Sequence, residues 1–445
     1  MSLRYFLDPF GCVKNQVDAE NMMARLNLSG WENVSDASSA DLIIVNSCGF
    51  IESAKQESIN AVLSWRKDFP DKKILLAGCL AERYAKELSS ALPEADGFFG
   101  VKDISKITDA ASRVFQKVKD SKASEYLVAD KKSLSWERPL LSLPGSAYVK
   151  ISEGCNNRCS FCAIPLIRGS LICRTIPDIV DECRALIARG IRELCIIGQD
   201  TGSYSYKLPE LLQALSELEG NFWIRLLYIH PDHFPPGILD IMERDKRFLP
   251  YFDIPFQHAS AKILSAMNRK GSAEQYLALL ETIRARLPGA VIRSTFLLGF
   301  PGETEDDFSA LLDFQEAARL DWLGCFAYSR EEGTAAYSMK NRVRAKIAAQ
   351  RKQLVEERQI PVTEKNMERF AGKTMDVLIE EHIGSEDADE EDFWLGRFYC
   401  HAPEIDGAAV IANDSNTNRK DLYTGNILPC KVIARRGFDL EVEIP

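Results

Sequence analysis

Tyr148-Val-Lys-Ile-Ser-Glu-Gly-Cys155-Asn-Asn-Arg-Cys159-Ser-Phe-Cys162 decides how this 445-residue chain is read. Its first four residues have strand character, and its last eight carry three thiols. That spacing lets one loop hold three corners of a cubane iron–sulfur cluster, which takes four thiolates when protein ligates every iron. One iron is then left open for a substrate or cofactor. The competing reading is a structural zinc loop, but zinc needs a fourth ligand, and the nearest histidine in sequence is His230, far outside finger-like spacing.

Working outward, short apolar strands alternate with helical stretches on both sides of this loop. Downstream, Glu193-Leu-Cys-Ile-Ile, Trp223-Ile-Arg-Leu-Leu-Tyr, Asp253-Ile-Pro-Phe, Val291 to Leu298 and Leu323 to Tyr328 join Tyr148-Val-Lys-Ile to make about six βα units. Six parallel strands with a site at their carboxyl ends predict an open or partial (β/α)6 barrel. Upstream, three strands each lead to a cysteine and then a helix: Tyr5-Phe-Leu to Cys12, Leu42-Ile-Ile-Val to Cys48, and Ile74-Leu-Leu-Ala to Cys79. Such alternation predicts a parallel sheet with right-handed crossovers, so every strand ends at the same edge. Ligands bind outside that edge, where Cys12, Cys48 and Cys79 would gather as a second three-thiol site. Cysteines also commonly fill cores. Against that, each of these follows its apolar run, and a glycine adjoins each one: Gly11, Gly49 and Gly78.

From about Lys119 the chain turns polar and then Leu/Pro-rich, as a linker does. A charged helical stretch runs from about Arg342 to Arg369, and beyond Gly372 five short strands separated by Gly, Asn or Asp fit a small β-barrel. The expected organisation is α/β: an N-terminal parallel domain over 1–118, a linker over 119–140, a partial barrel over 141–370 and a small antiparallel β-barrel over 371–445.

Twelve cysteines in a chain with no eighteen-residue apolar run and no signal-like N-terminus point to a reduced, soluble, cytoplasmic protein without membrane contact. Cys183, Cys195, Cys325, Cys400 and Cys430 are unclustered and read as core residues. The formal net charge is −10, and residues 371–445 hold sixteen Asp or Glu against seven Lys or Arg, a net of −9. An acidic module repels phosphate backbones and attracts basic partners.

Cys155 to Cys162, continuing as Ala-Ile-Pro-Leu-Ile-Arg-Gly169, resembles the signature of radical S-adenosylmethionine enzymes. The whole chain is similar to the methylthiotransferases of that class, with a TRAM-like terminal module. Gly11-Cys-Val-Lys-Asn, Asn46-Ser-Cys-Gly-Phe-Ile, Tyr251-Phe-Asp-Ile-Pro-Phe-Gln-His258, Gly299-Phe-Pro-Gly-Glu-Thr304 and Ala402-Pro-Glu-Ile-Asp-Gly407 resemble the branch that modifies an aspartate of small-subunit ribosomal protein S-twelve. Val13, Cys173 and Gly202-Ser203 depart from that pattern without removing a cysteine of either triad.

The resemblance implies two 4Fe-4S clusters and S-adenosylmethionine. Cys155, Cys159 and Cys162 would hold the radical-forming cluster and Cys12, Cys48 and Cys79 an auxiliary one that carries the sulfur. It also implies a methylthio group placed on an aspartate β-carbon, two S-adenosylmethionine per turnover and an external electron donor. Gln199, Asp200, Gln257 and Arg293 are the expected cofactor contacts, although Asp200 equally suits a helix cap, and His258 reads as structural. Gly299 to Gly302 lacks the ending of a phosphate loop and reads as a tight turn against the adenosine. The rival functions are a tRNA adenosine methylthiotransferase, which calls for a basic footprint, and a non-catalytic iron–sulfur redox sensor. The acidic module favours a basic ribosomal protein and disfavours direct tRNA binding.

Overall fold

The computed structural model describes residues 2–115, 137–384, 393–412 and 422–445. Two compact units are built from segments far apart in sequence: Met1–Leu141, Glu153–Ile172 and Ser329–Tyr337 form one, and Ser142–Ser152, Cys173–Tyr328 and Ser338–Pro445 the other. The loop of Cys155 to Cys162 thus packs with the N-terminal segment. Of the expected linker over 119–140, residues up to 136 lie outside the described residues. Its end is anchored within the first unit, where Arg138 pairs with Glu20 at 2.8 Å, both fully buried.

The first unit alternates β1 (Arg4–Pro9), α1 (Val13–Leu28), β2 (Glu32–Asn33), β3 (Leu42–Ser47), α2 (Glu52–Asp68), β4 (Lys73–Gly78), α3 (Cys79–Ala91), β5 (Gly97–Phe99) and α4 (Ile107–Phe115). The strands lie in the order β2-β1-β3-β4-β5, all parallel. Alternate side chains of the central strands feed two cores. Leu42, Ile44, Leu75 and Ala77 pack under α1 and α4, while Ile43, Val45, Ile74 and Leu76 pack under α2 and α3. A strand covered on both faces reads as a near-continuous apolar run, here Leu42 to Val45, and every residue of Leu-Ile-Ile-Val-Asn-Ser in β3 is buried. Residues 153–172 add α5 (Ile164–Arg168), whose Ile167 packs with Ala163, Cys79 and Val101.

The second unit opens with β6 (Ser146–Lys150), and a two-stranded ribbon of β7 (Ser152–Glu153) and β8 (Ile172–Cys173) closes the neck of the cysteine loop. The main sheet continues through α6 (Ile176–Ala188), β9 (Glu193–Ile197), α7 (Leu208–Ser216), β10 (Trp223–Leu226), α8 (Gly237–Arg244), β11 (Phe248–Asp253), α9 (Ala261–Ala266), α10 (Ala273–Arg286), β12 (Val291–Leu298), α11 (Glu305–Ala318) and β13 (Trp322–Ala327). Its order, β13-β12-β11-β10-β9-β6, is the open six-stranded parallel sheet expected. One strand lies elsewhere than expected: β11 ends at Asp253 rather than starting there. Ile254 and Phe256 are fully buried as extended chain beyond it, so burial alone mimicked a strand.

Helix α12 (Ala345–Glu368) leads to a closed barrel of β14 (Thr374–Ile383), β15 (Phe393–Arg397), β16 (Ala409–Ala412), β17 (Ile427–Arg436) and β18 (Asp439–Glu443). The expected barrel is present, but β16 and β18 pair in parallel. Around a closed ring of five strands, up and down cannot alternate without a mismatch, so at least one neighbouring pair must be parallel.

Buried ions fasten this barrel to the sheet. Arg397 of β15 binds Glu193 at 2.5 Å and Glu380 at 2.7 Å, and Glu193 also holds Arg225 at 2.7 Å. Burial opposes ionisation of Glu193, but the two guanidiniums outweigh it and hold the carboxyl down to about 2. Asp406 takes Arg293 at 2.6 Å and the Tyr251 hydroxyl at 2.6 Å. Replacing Arg397 with Met strands the buried Glu380 carboxylate, leaves Glu193 with Arg225 alone, and should cost about 3–5 kcal/mol in denaturant unfolding. The combined R397M and E380Q replacement, which leaves Glu193 paired with Arg225, should recover most of that loss, and a loss for R397M below about 1 kcal/mol would contradict the account.

Two buried histidines give the unit an acid limit. Burial pushes His258 down to about 4, and burial with the neighbouring Arg397 and Arg225 pushes His401 down to about 3. The unfolded chain therefore takes up both protons first, near pH 6.5, so this stability is present above pH 6.5 and is lost as pH falls toward 4. Each histidine contributes about 1.4 kcal/mol per pH unit in that window. Unfolding free energies at pH 7 and pH 5 should differ accordingly, with H401F flattening the slope; an unchanged slope would remove His401 from the account.

Candidate thiol sites

A parallel sheet delivers the three upstream cysteines to one edge. Cys12 is the residue before α1, Cys48 follows β3 directly, and Cys79 follows β4 as the first residue of α3. Their loops nearly touch: a Cβ at Gly11 would lie 3.1 Å from Cβ of Cys48, and a Cβ at Gly49 would lie 2.7 Å from the Cys79 carbonyl. The glycines expected to admit a bulky ligand therefore let the three loops approach one another. Asn15 ties these loops by donating to the carbonyls of Phe10 at 2.7 Å and Ser47 at 3.1 Å, while Asn46 donates to the Asn15 carbonyl at 2.9 Å. Cys12 is exposed, Cys48 half-buried and Cys79 buried. Burial pushes the Cys79 thiol up to about 12, opposed chiefly by the Arg168 guanidinium, and raises Cys48 as well.

The downstream triad sits on a loop pinched at its base, where the Cys155 amide donates to the Gly169 carbonyl at 3.1 Å. All three thiols are half-buried. Backbone amides point at two of them, Asn157 N–H at Cys155 Sγ (3.4 Å) and Ile164 N–H at Cys162 Sγ (3.5 Å). Such donors favour thiolate over thiol and tune iron–sulfur clusters. Residues 329–337 brace the same loop, with Ala336 N–H donating to the Ser160 carbonyl at 2.7 Å. They also brace the helices beside it, through Glu331 with Arg83 at 2.7 Å and Lys55 at 3.1 Å.

Arg168 joins the segment that carries the downstream triad to Cys79 of the upstream one. It ends α5, six residues after Cys162, and its buried fork donates to Cys79 Sγ at 3.2 Å, Asp18 at 2.8 Å and Glu153 at 2.8 Å. Arg168, Asp18 and Asn15 were not singled out from sequence, although Asn15 and Arg168 lie inside the segments that carried the family resemblance.

Each triad offers three of the four thiolates that a cubane takes, which would suit a cluster with one iron left to another ligand, and none of the twelve cysteines forms a disulfide. Among the described residues no three His, Cys, Asp or Glu side chains close around a single ion. A cubane asks for something wider, each thiolate reaching a different iron.

The expected cofactor contacts are less uniform. Gln199 and Asp200 follow β9, and Gln257 follows β11, at the carboxyl edge where ligands bind in such sheets. Oε1 of Gln199 is buried without a hydrogen-bond partner among the described residues. Asp200 caps no helix with its side chain; its carboxylate accepts from Ser203 Oγ at 2.6 Å, His233 Nδ1 at 2.7 Å and the His230 amide at 3.2 Å. Gln257 adopts φ +71° and bridges to β12 through the Thr295 carbonyl and Leu297 amide, both at 2.8 Å. Arg293 lies on β12, and its Nη1 donates to Asp406 at 2.6 Å. His258 is buried, and its Nδ1 accepts from the amides of Ala259 at 2.9 Å and Ser260 at 3.0 Å. The turn at Gly299 closes on itself, with Glu303 accepting from the amides of Gly299 at 2.7 Å and Phe300 at 3.1 Å.

Three family profiles match in succession: "Uncharacterized protein family UPF0004" over residues 4–100, "Radical SAM superfamily" over 149–314 and "TRAM domain" over 371–444. Among curated proteins, the chain is 46% identical to the ribosomal protein uS12 methylthiotransferase RimO of Treponema denticola, over 98% of this chain and 99% of the relative. It is 38% identical to the protein of the same name from Syntrophomonas wolfei, over 97% of each. The corresponding Aquifex aeolicus protein is 39% identical over 97% of this chain and 94% of its own length. Among solved structures, the radical S-adenosylmethionine methyltransferase TsrM from Kitasatospora setae superposes with a TM-score of 0.54 at 15% identity, covering 76% of this chain and 74% of that one. That likeness concerns the fold. The near-full-length identities show that this chain belongs to the RimO family of ribosomal protein uS12 methylthiotransferases, within the radical SAM superfamily.

Proposed function

We propose that this chain places a methylthio group on the β-carbon of an aspartate in ribosomal protein uS12. The observation that carries this reading is the placement of two thiol triads within one compact unit, where the buried Arg168, six residues after Cys162, contacts Cys79. When bound, the two clusters and S-adenosylmethionine supply one-electron cleavage of the sulfonium, hydrogen abstraction from unactivated carbon, and sulfur and methyl delivery. The protein's own residues hold and shield that chemistry. Cys155, Cys159 and Cys162 would hold the radical-forming cluster, with the amides of Asn157 and Ile164 steadying their sulfurs. Cys12, Cys48 and Cys79 would hold the auxiliary cluster, with Asn15 fixing the loops that present them. Gln199, with its unsatisfied acceptor, and Gln257 would meet the cofactor. Asp200, held by Ser203 and His233, would meet it too. Arg293, which also pairs with Asp406, would meet it as well. The domain limits expected from sequence, 1–118, 141–370 and 371–445, serve as the working division of the chain. No helix among the described residues is long and apolar enough to cross a membrane, and a cytoplasmic enzyme fed by an external one-electron donor fits the substrate.

Anaerobic reduction of the loaded protein with S-adenosylmethionine and uS12 should yield 5′-deoxyadenosine and a methylthio mass shift on aspartate. Alanine at Cys12, Cys48 and Cys79 should abolish the mass shift yet leave 5′-deoxyadenosine formation and about half the iron. Alanine at Cys155, Cys159 and Cys162 should abolish both products. No 5′-deoxyadenosine from fully loaded protein would leave the sensor reading standing instead.

The terminal module would grip a basic substrate. Of its sixteen acids, six are Glu386, Asp387, Asp389, Glu390, Glu391 and Asp392, between β14 and β15 and outside the described residues. Without them the module's net charge changes from −9 to −3. Replacing all six with amides should weaken uS12 binding and flatten its salt dependence, measured by titration at two ionic strengths. Unchanged uS12 binding together with tight, steeply salt-dependent tRNA binding would favour the tRNA-modifying reading.

A further inference from the structure

Arg168 carries a charge into a place where charge is costly. Its side chain is 1% exposed, as is that of Asp18. Nη1 donates to both Asp18 of α1 and Glu153, and Nη2 turns away from them to Cys79 Sγ at 3.2 Å. Pinning α5 in place would need only the two carboxylates. The third contact goes to a sulfur that the proposed function makes a cluster ligand.

We infer that Arg168 is a positioning residue for the cluster held by Cys12, Cys48 and Cys79, orienting Cys79 Sγ by a hydrogen bond and setting that cluster's reduction potential through its charge. This rests on the assignment of that triad to an auxiliary cluster. A ligated thiolate keeps lone pairs and still accepts from a guanidinium, so the contact is compatible with iron binding. Hydrogen bonds to cluster sulfurs, and nearby positive charge, favour the reduced state, which carries one more electron. Lysine would not substitute, because it supplies a point charge in place of a planar fork that spans two carboxylates and a sulfur. The fork also relates the two sites: Asp18 lies in the helix that begins after Cys12, Glu153 two residues before Cys155, and Arg168 itself six residues after Cys162.

The test uses the full chain with alanine at Cys155, Cys159 and Cys162, so that only the upstream triad carries iron. Its midpoint potential is read by anaerobic redox titration followed by electron paramagnetic resonance, alongside iron per chain. R168Q should move the midpoint to more negative values, and R168K should move it less. Asp18→Asn should move it the opposite way, since it leaves the guanidinium less neutralised. A merely structural arginine would not produce opposite signs for R168Q and D18N. Should the Arg168 variants bind no iron, the sign for D18N decides, and a midpoint unchanged or lowered in D18N overturns the inference. If the protein with Arg168 intact takes up no cluster at the upstream triad, the auxiliary-cluster assignment fails and the inference with it.

Discussion

Parallel strand direction is the constraint from which the first unit follows. Three cysteines separated by 36 and 31 residues meet because β1, β3 and β4 run side by side in the same direction and all end at one edge. An antiparallel sheet would send alternate strand ends to opposite edges and scatter the thiols. The order β2-β1-β3-β4-β5 also puts a reversal of winding between β1 and β3, the place at the carboxyl ends where ligands bind in such sheets. Cys12 and Cys48 flank that reversal, and the glycines beside the cysteines allow their loops to close to backbone contact.

Burying arginines is the second recurring device. Arg138 with Glu20, Arg168 with Asp18 and Glu153, Arg397 with Glu193 and Glu380, and Arg293 with Asp406 each join segments distant in sequence. Such pairs add little net stability over an apolar substitute, because desolvation offsets much of the attraction. What they impose is discrimination: a misplaced segment leaves an unpaired charge in the interior, a penalty that a misplaced leucine would not incur. A chain that leaves and re-enters the same compact unit has particular need of that selectivity.

Much of this architecture was legible in sequence because it depends on local pattern. Central parallel strands must be apolar along their length, so Leu42 to Val45 and Glu193 to Ile197 could be placed closely, and cysteines after strands announced an edge. Other features depend on what a residue meets far away. Asp253-Ile-Pro-Phe looked like a strand because Ile254 and Phe256 are buried, yet they are buried as loop. Arg293 offered no sign of its ion pair, since only the fold brings Asp406 to it from 113 residues later. Arg168 carried no periodic signal, since its partners lie 89 and 150 residues back in the chain. The parallel pairing of β16 and β18 is a closure requirement of five strands and leaves no mark on either strand's sequence.

The cysteine loop illustrates why matched sequence segments and folded units differ. Residues 153–172 lie within the stretch matched by the radical SAM profile, yet their packing partners are Cys79, Val101 and Asp18. Ala163 and Ile167 are fully buried against that N-terminal surface, and Arg168 finds two of its three acceptors there. A fragment beginning near residue 141 would retain Cys155, Cys159 and Cys162. It would expose Ala163 and Ile167 and leave Arg168 with Glu153 as its one remaining carboxylate among these partners. The loop's geometry is thus a property of the first 100 residues as much as of its own sequence. Placing both triads on one packed body makes the two sites interdependent for their shape before either takes part in chemistry.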